Sequence, residues 1–364
     1  MEKPVTSEAI HAWQMVAPGE LRCVSLPPPT LAAGEVLVEI HGCGVCHTDL
    51  SYFHDGVPTR QAPPLTLGHE IVGVVVAAAE SDSPLPGREV IVPAVLPCHA
   101  CELCRAGREN RCLQQRMPGN SLGIYGGFAS HIPVPGRDLC VIPAAARGEI
   151  PLAHLAVVAD AVTTPYQAAR RAALASGDRV IVIGAGGGVG GYMVQLAKTL
   201  GAATVVGIDV DSQRLALVQA YGLDHAIAAG GLDVTQLKAA FRSYCQTQQL
   251  PANVGWKIFE CSGSRTGQAL ALALLGFVGK LVVVGYGTDE LRYNISRLMA
   301  FDAEIIGSWG CAPRHYPQVL QLCLDGRIAL EPFVEVQPMS AIREVFEAAR
   351  HGELRKRVIL TPDF

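Results

Sequence analysis

The sequence predicts an α/β protein: an irregular, mostly antiparallel β-rich domain followed by a doubly wound parallel sheet. Three observations predict it. Up to about residue 160, short strand-like runs are broken by Pro and Gly. From residue 161 onward, short apolar strands alternate with helical patterns, the rhythm of βα units. One such strand and helix are joined by a glycine cluster, GAGGGVGG at 184–191. A chain of 364 residues, at roughly 100–200 residues per domain, is expected to form two domains. The expected division is 1–161 for the β-rich domain, with a small lobe at 95–115, then 162–308 for the parallel sheet. Residues 309–364 no longer follow the βα rhythm and are expected to return to the first domain.

In chain order, EVLVEIHG (35–42), EIVGVVVAAA (70–79) and REVIVPAV (88–95) read as strands. RVIVIG (179–184) is the first strand of the second domain, and VGGYMVQLAKTLG is the helix after the glycines. TVVGID (204–209) and DSQRLALVQAYG repeat the pattern. WKIFEC (256–261), KLVVVGYG (280–287) and AEIIGS (303–308) extend the sheet. AIREVFEAARHG reads as a late helix and RVILTP as a last strand.

Composition narrows the function classes. A net charge of −4, with charges scattered rather than clustered, argues against a nucleic-acid surface. No apolar run approaches the roughly 18 residues of a membrane span. The start, MEKPVTSEAIHAWQ, lacks a cationic segment followed by an apolar core, so a cytoplasmic protein is expected. Its 12 cysteines are then ligands, catalytic groups or core filler before they are disulfides.

The glycine cluster sits where a dinucleotide fingerprint must lie. Glycines let the backbone approach a pyrophosphate resting on the helix N-terminus. The G-x-G-x-x-G spacing fits Gly186, Gly188 and Gly191; counted from the strand end, Gly184 and Gly186 fit but Val189 takes the third slot. The candidate cofactor residues are therefore Gly184, Gly186, Gly187, Gly188, Val189 and Gly190 as a cluster. Asp209 closes the next strand, where an acid can bind the adenosine ribose hydroxyls. It would repel a 2′-phosphate, which favours NAD over NADP.

Cys98, Cys101, Cys104 and Cys112 follow C-x2-C-x2-C-x7-C. Four thiolates at this spacing can close a tetrahedral structural zinc site. Iron–sulfur runs differ in the last gap. Two further clusters, GCGVCHTD (42–49) and GHE (68–70), contain Cys43, Cys46 and His69. Either cysteine can be core filler. Asp160 interrupts the apolar stretch VVADAVTTPYQ, where a bare carboxylate is costly. It either caps the helix of TTPYQAARRAAL or meets a cation.

These motifs, in this order and over nearly the whole chain, resemble the medium-chain zinc alcohol dehydrogenases. The resemblance implies a GroES-like catalytic domain plus a Rossmann domain, two zinc ions per chain, NAD, and a homo-oligomer, dimer or tetramer. It implies Cys46 and His69 as ligands of the catalytic zinc, with Asp160 in the place of a more usual cysteine. Glu70 could occupy the fourth position without substrate. A thiolate, an imidazole and a carboxylate neutralise the dication, and the metal offsets the burial of Asp160.

Other roles follow from the same resemblance. Asp49 would orient the imidazole ligand. Thr48 would take the alcohol proton, with Ser51, His47 or His54 as the next relay group. Arg357 matches a position that contacts the cofactor. Several stretches, GVCHTDLSYFHDGV, VPAVLPCHACELC to QRMPGN, GGFASHIPVP and ADAVTTPYQA, further resemble a subfamily that oxidises a ring alcohol beside a CoA thioester, in anaerobic degradation of aromatic acyl-CoA. A CoA-thioester substrate would call for cations, and Arg60, Arg116, Arg297 and Arg314 are the candidates. The competing expectation is a dehydrogenase of a free secondary alcohol or polyol.

Overall fold

The computed structural model describes residues 9–364; residues 1–8, part of the stretch read for a leader, lie outside the described residues. The chain divides into two compact units. One comprises 1–163, 310–326 and 330–364; the other comprises 164–309 and 327–329.

The first unit is built on two sheets. A three-stranded sheet holds Glu20–Leu26, Ile10–Ala17 and Leu65–Thr66. The larger sheet runs in the order Val334–Pro338, Arg357–Thr361, Glu35–Gly44, Glu70–Ala78, Glu89–Val92, Cys140–Val141, with His131–Pro135 also paired to Glu35–Gly44. All its described pairings are antiparallel except Val334–Pro338 with Arg357–Thr361. The alternation of Glu35–Gly44 explains its place: Val36, Val38 and Ile40 face one apolar layer, while Glu39 and His41 remain outside. The core beneath includes Ile71, Val75, Phe128 and Phe346. Phe346, from helix Ile342–Arg350, meets Phe53 and Phe128 edge-on at 5.4 and 5.6 Å, the geometry aromatic quadrupoles favour.

The C-terminal strand Arg357–Thr361 crosses the end of Glu35–Gly44 through Cys43–Leu360 and Gly44–Ile359. Residues 357–361 thereby lie beside the strand that leads into the 46–54 segment.

The second unit is a six-stranded parallel sheet. Its order is His225–Ala228, Thr204–Asp209, Arg179–Ile183, Trp256–Glu260, Lys280–Val283, Glu304–Gly307. In sequence rank this is 3-2-1-4-5-6, the Rossmann order, whose direction reverses between Arg179–Ile183 and Trp256–Glu260. Ligands of such sheets bind outside the strand carboxyl ends at that reversal. Strand residues Ile181, Val206 and Ile258 are fully or nearly fully buried, as expected where helices cover both faces. The strand read over 280–287 ends at Val283, because Gly285 approaches Gly263 too closely for any side chain. Residues 327–329 belong here through Arg327 to the Thr199 carbonyl and Ala329 N–H to Gln195 Oε1.

Candidate metal and coenzyme sites

Cys46 ends the extended run of Glu35–Gly44 and precedes helix His47–Phe53 as its N-cap. Asp49, at the third helical position, reaches back and accepts the Cys46 N–H at 3.1 Å, half of a capping box. Its other oxygen accepts the Gly68 N–H at 3.0 Å and lies 3.3 Å from His69 Nδ1. Asp49 is wholly buried. It therefore fixes both the helix start and the imidazole, and leaves His69 Nε2 for a ligand.

Asp160 follows the 3-10 helix Leu152–Ala159, and helix Thr163–Arg171 begins three residues later. Its carboxylate turns to Cys46 and His69: Oδ2 lies 3.9 Å from Cys46 Sγ and 3.7 Å from His69 Nε2. One ligand atom each from Cys46, His69, Glu70 and Asp160 falls within 4.8 Å of the others. A tetrahedral zinc with bonds of about 2.0–2.3 Å separates its donors by roughly 3.3–3.8 Å, so Cys46, His69 and Asp160 fit the ion. Burial pushes the His69 pKa down, but Asp49, with Asp160 and Cys46 as further partners, outweighs it and holds it well above the ordinary value.

Cys43 lies outside this group. Its thiol faces the Gly44 carbonyl and the backbone of Gly68 and Gly127, and burial drives its pKa well up. It is a packed core thiol.

Glu70 has a partner that the sequence did not point to. Arg357 Nε donates to Glu70 Oε2 at 2.7 Å, and a second guanidinium nitrogen donates to Oε1. Both side chains are buried, at 6% and 0% exposure. Burial would strip the Arg357 proton, but the Glu70 carboxylate outweighs it and raises the pKa well above the ordinary value. In this structure Arg357 makes a two-pronged ion pair with Glu70. The Gly44 site shows how closely Glu70 packs: a Cβ there would collide with the carboxylate.

Thr48 Oγ1 lies 3.7 Å from Cys46 Sγ. Ser51 is half-buried on the same helix and His47 is exposed. His54 is turned elsewhere: its ring packs 4.7 Å from Phe53 and 6.5 Å from Phe346, with Glu347 3.9 Å from Nε2.

The four-cysteine lobe is preformed. Cys101 Sγ lies 3.5 Å from Cys104 Sγ and 3.8 Å from Cys112 Sγ, where zinc–sulfur bonds of about 2.3 Å put tetrahedral thiolates about 3.8 Å apart. Backbone N–H groups of Ala100 and Cys101 point at Cys98 Sγ, and those of Cys98 and Gln114 at Cys112 Sγ. Such donors favour thiolates; those of Cys104 and Leu113 bring Cys101 down to about 6. All described cysteines are free of disulfides.

The glycine frame is decided by space. Gly184 has φ +78 and leaves no room beside Ser262; at Gly190 a Cβ would lie 1.9 Å from the Gly184 carbonyl. Gly184 thus makes the turn and Gly190 the close helix–strand contact. Gly186 donates its N–H to Asp209 Oδ2 at 2.8 Å, and a Cβ there would strike Arg214. Asp209 Oδ1 accepts the Asp211 N–H at 3.0 Å. Gly187 and Val189 are partly exposed and Gly188 exposed on the turn. Glu260 was missed by sequence reasoning. It is buried and accepts Ser262 N–H at 2.9 Å and Gly263 N–H at 3.2 Å, fixing the turn against Gly184.

Of the four candidate arginines, Arg116 faces Glu35 at 3.5 Å and Arg314 is bound to Glu109 and the Gly107 carbonyl. Arg297 lies over Phe301, in the second unit. Arg60 is exposed, with no ion pair to a described carboxylate.

A parallel sheet of this order with a glycine turn, a closed thiol lobe and a mixed sulfur–nitrogen–oxygen cluster defines a zinc-dependent, nicotinamide-linked dehydrogenase. Comparison with known proteins agrees. Residues 32–144 match the alcohol dehydrogenase GroES-like domain, and residues 188–325 the zinc-binding dehydrogenase domain. An alcohol dehydrogenase of Geobacillus stearothermophilus is 31% identical over 335 residues, 91% of this chain and 93% of the relative. Among solved structures, the alcohol dehydrogenase of Aeropyrum pernix superposes with a TM-score of 0.85 at 30% identity, covering 97% of this chain and 100% of that one. Acetophenone reductase from Geotrichum candidum, in complex with NAD, gives 0.84 at 26%, covering 98% of each. The chain belongs to the medium-chain zinc-dependent alcohol dehydrogenase family. It is a zinc-dependent oxidoreductase. Among the described residues, no helix is long and apolar enough to cross a membrane.

Proposed function

We propose that this enzyme oxidises a secondary alcohol to a ketone with NAD, on a catalytic zinc held by Cys46, His69 and Asp160. The observation that carries the reading is the convergence of these three side chains, with His69 locked by Asp49. Cys98, Cys101, Cys104 and Cys112 hold the second zinc and brace their lobe. A zinc held there would supply a Lewis acid for the alcohol oxygen, and bound NAD would supply the hydride acceptor. The chain's own part is placement and proton handling. Asp49 sets the tautomer of His69, Thr48 Oγ1 accepts the alcohol proton, and Ser51 or His47 passes it onward. Gly184, Gly186 and Gly190 keep the turn open to a pyrophosphate, and Asp209 accepts from the adenosine ribose.

The relatives named alcohol dehydrogenase and acetophenone reductase favour a free secondary alcohol, with polyols as the nearest variation. A narrower reading, 6-hydroxycyclohex-1-ene-1-carbonyl-CoA dehydrogenase, draws support from the subfamily-like stretches of the sequence and from one feature of the structure. Arg60, with no ion pair to a described carboxylate, is an exposed cation on the loop after the helix that carries Thr48. That loop is tied down by Gln61 N–H to the Asn120 carbonyl at 2.8 Å, and Asn120 Nδ2 donates to Tyr52 Oη at 2.7 Å. A phosphate of CoA would complete its charge. Steady-state assays of 1-phenylethanol, sorbitol and the cyclic hydroxyacyl-CoA, each with NAD and NADP, test the proposal. NAD-dependent turnover of either alcohol class by wild type, lost in Asp160→Ala, is expected. A kcat/KM for the thioester far above that for free alcohols selects the narrower reading, and turnover undiminished in Asp160→Ala overturns the ligand set.

A further inference from the structure

We propose that Tyr316 is a positioning residue for the catalytic zinc: its phenol holds the peptide unit from which Asp160 springs, and so sets the reach of that carboxylate. The inference rests on the ligand set proposed above.

An aspartate is a short arm, with two side-chain torsions. Where its oxygen falls is decided by its backbone. The carbonyl of Ala159 and the N–H of Asp160 share one planar peptide, so gripping that carbonyl fixes the direction in which Asp160 leaves. Tyr316 Oη donates to the Ala159 carbonyl at 2.5 Å, and Thr163 Oγ1 donates to the same oxygen at 3.2 Å. The phenol oxygen also accepts the Ala94 N–H at 3.2 Å, just beyond strand Glu89–Val92. From the first residue of helix Tyr316–Leu324, Tyr316 therefore ties the peptide before Asp160 to the end of that strand.

The surroundings make this grip stiff. Residues 155–159 and Tyr316 have no exposed surface, so no water can replace the phenol. Asp160 itself sits at φ −145, ψ −55, outside the helices on either side of it. No intrahelical ladder holds it; Thr163 Oγ1 reaches its own carbonyl at 3.4 Å, and the carbonyl before it carries the shorter bond from Tyr316. Tyr316 touches neither reacting atoms nor ligand atoms among its described bonds. Its effect passes through Ala159.

Two conservative variants test the proposal in the full, zinc-loaded enzyme. Tyr316→Phe removes the phenol bonds, and Thr163→Val removes only the second donor. Zinc release to a chelator is followed with a chromogenic indicator; the four-cysteine zinc serves as the internal reference. Loss of an outer partner weakens metal sites by about 10–100-fold. Tyr316→Phe is expected to release the catalytic zinc at least ~10-fold faster, with the reference phase unchanged and Thr163→Val in between. After cobalt(II) replaces the catalytic zinc, the visible bands of Tyr316→Phe should shift. A purely structural phenol would lower Tm and leave both readouts alone. Wild-type release and wild-type bands in Tyr316→Phe overturn the proposal. Wild-type retention of that zinc in Asp160→Ala would instead overturn the ligand set beneath it.

Discussion

Replacing Arg357 by methionine is the most direct perturbation of the catalytic region. Methionine keeps the length and apolar stem but removes the charge. Glu70 is wholly buried and meets Arg357 through two charge-assisted hydrogen bonds. Removing one member of such a pair strands the other and costs about 3–5 kcal/mol. At about 2–4 °C per kcal/mol for a domain of this size, Tm should fall by about 6–20 °C. Glu70 can escape by taking up a proton, since burial already lifts its carboxyl above the ordinary range. The loss should therefore be smaller at pH 5 than at pH 8. Glu70→Gln/Arg357→Met carries no stranded charge, and it should be more stable than Arg357→Met alone. Thermal unfolding of the zinc-loaded single and double variants at both pH values measures all three effects. A Tm within 2 °C of wild type for Arg357→Met, or strict additivity in the double variant, would refute this account of the pair.

Three other outcomes are expected. Cys112→Ser opens the four-thiolate site, so zinc content should fall from about two ions per chain to about one, and proteolysis should begin within 98–112. Glu260→Gln tests a buried acid whose pKa burial raises against the pull of its hydrogen bonds. The proton that the folded state prefers to keep contributes stability below the unfolded pKa, and that contribution is lost as pH rises through the raised folded value. The Tm advantage of Glu260→Gln over wild type should thus grow from pH 5 to pH 8; a constant difference counts against it. Asp209→Asn removes the charge that repels a 2′-phosphate, and kcat/KM for NADP relative to NAD should rise by at least ~10-fold, about 1.4 kcal/mol.

What could be read from sequence was what neighbouring residues settle among themselves. The thiols at 98–112 and the turn at 184–190 are each one local loop, so spacing nearly determines geometry. Even there, the extra glycine left two frames open, and the close contacts fall on Gly184, Gly186 and Gly190, a spacing that neither frame contained. Cys43 and Cys46 could not be separated by spacing, because both adjoin the strand end. The fold separates them: Cys43 is within the strand and packed, while Cys46 is past it and caps a helix. Asp160 looked equally like a cap, and only the later start of the helix, at Thr163, frees its carboxylate for another partner. Arg357 was assigned by position alone. Its partner Glu70 stands 287 residues away in sequence and becomes a neighbour only because strand Arg357–Thr361 crosses the end of Glu35–Gly44.

The charges of the cluster explain why that crossing matters. Four acidic groups, the Cys46 thiol and the carboxyls of Asp49, Glu70 and Asp160, lie in or beside one buried site. A dication bound as proposed would balance Cys46 and Asp160 and no more. Asp49 is held by two backbone N–H groups and the imidazole. Glu70 would remain uncompensated, and a free carboxylate at that distance would compete with the substrate oxygen for the metal. Arg357 removes that conflict by occupying both oxygens of Glu70. On the proposed ligand set, Arg357 would keep Glu70 occupied and so leave a fourth position free for an alcohol.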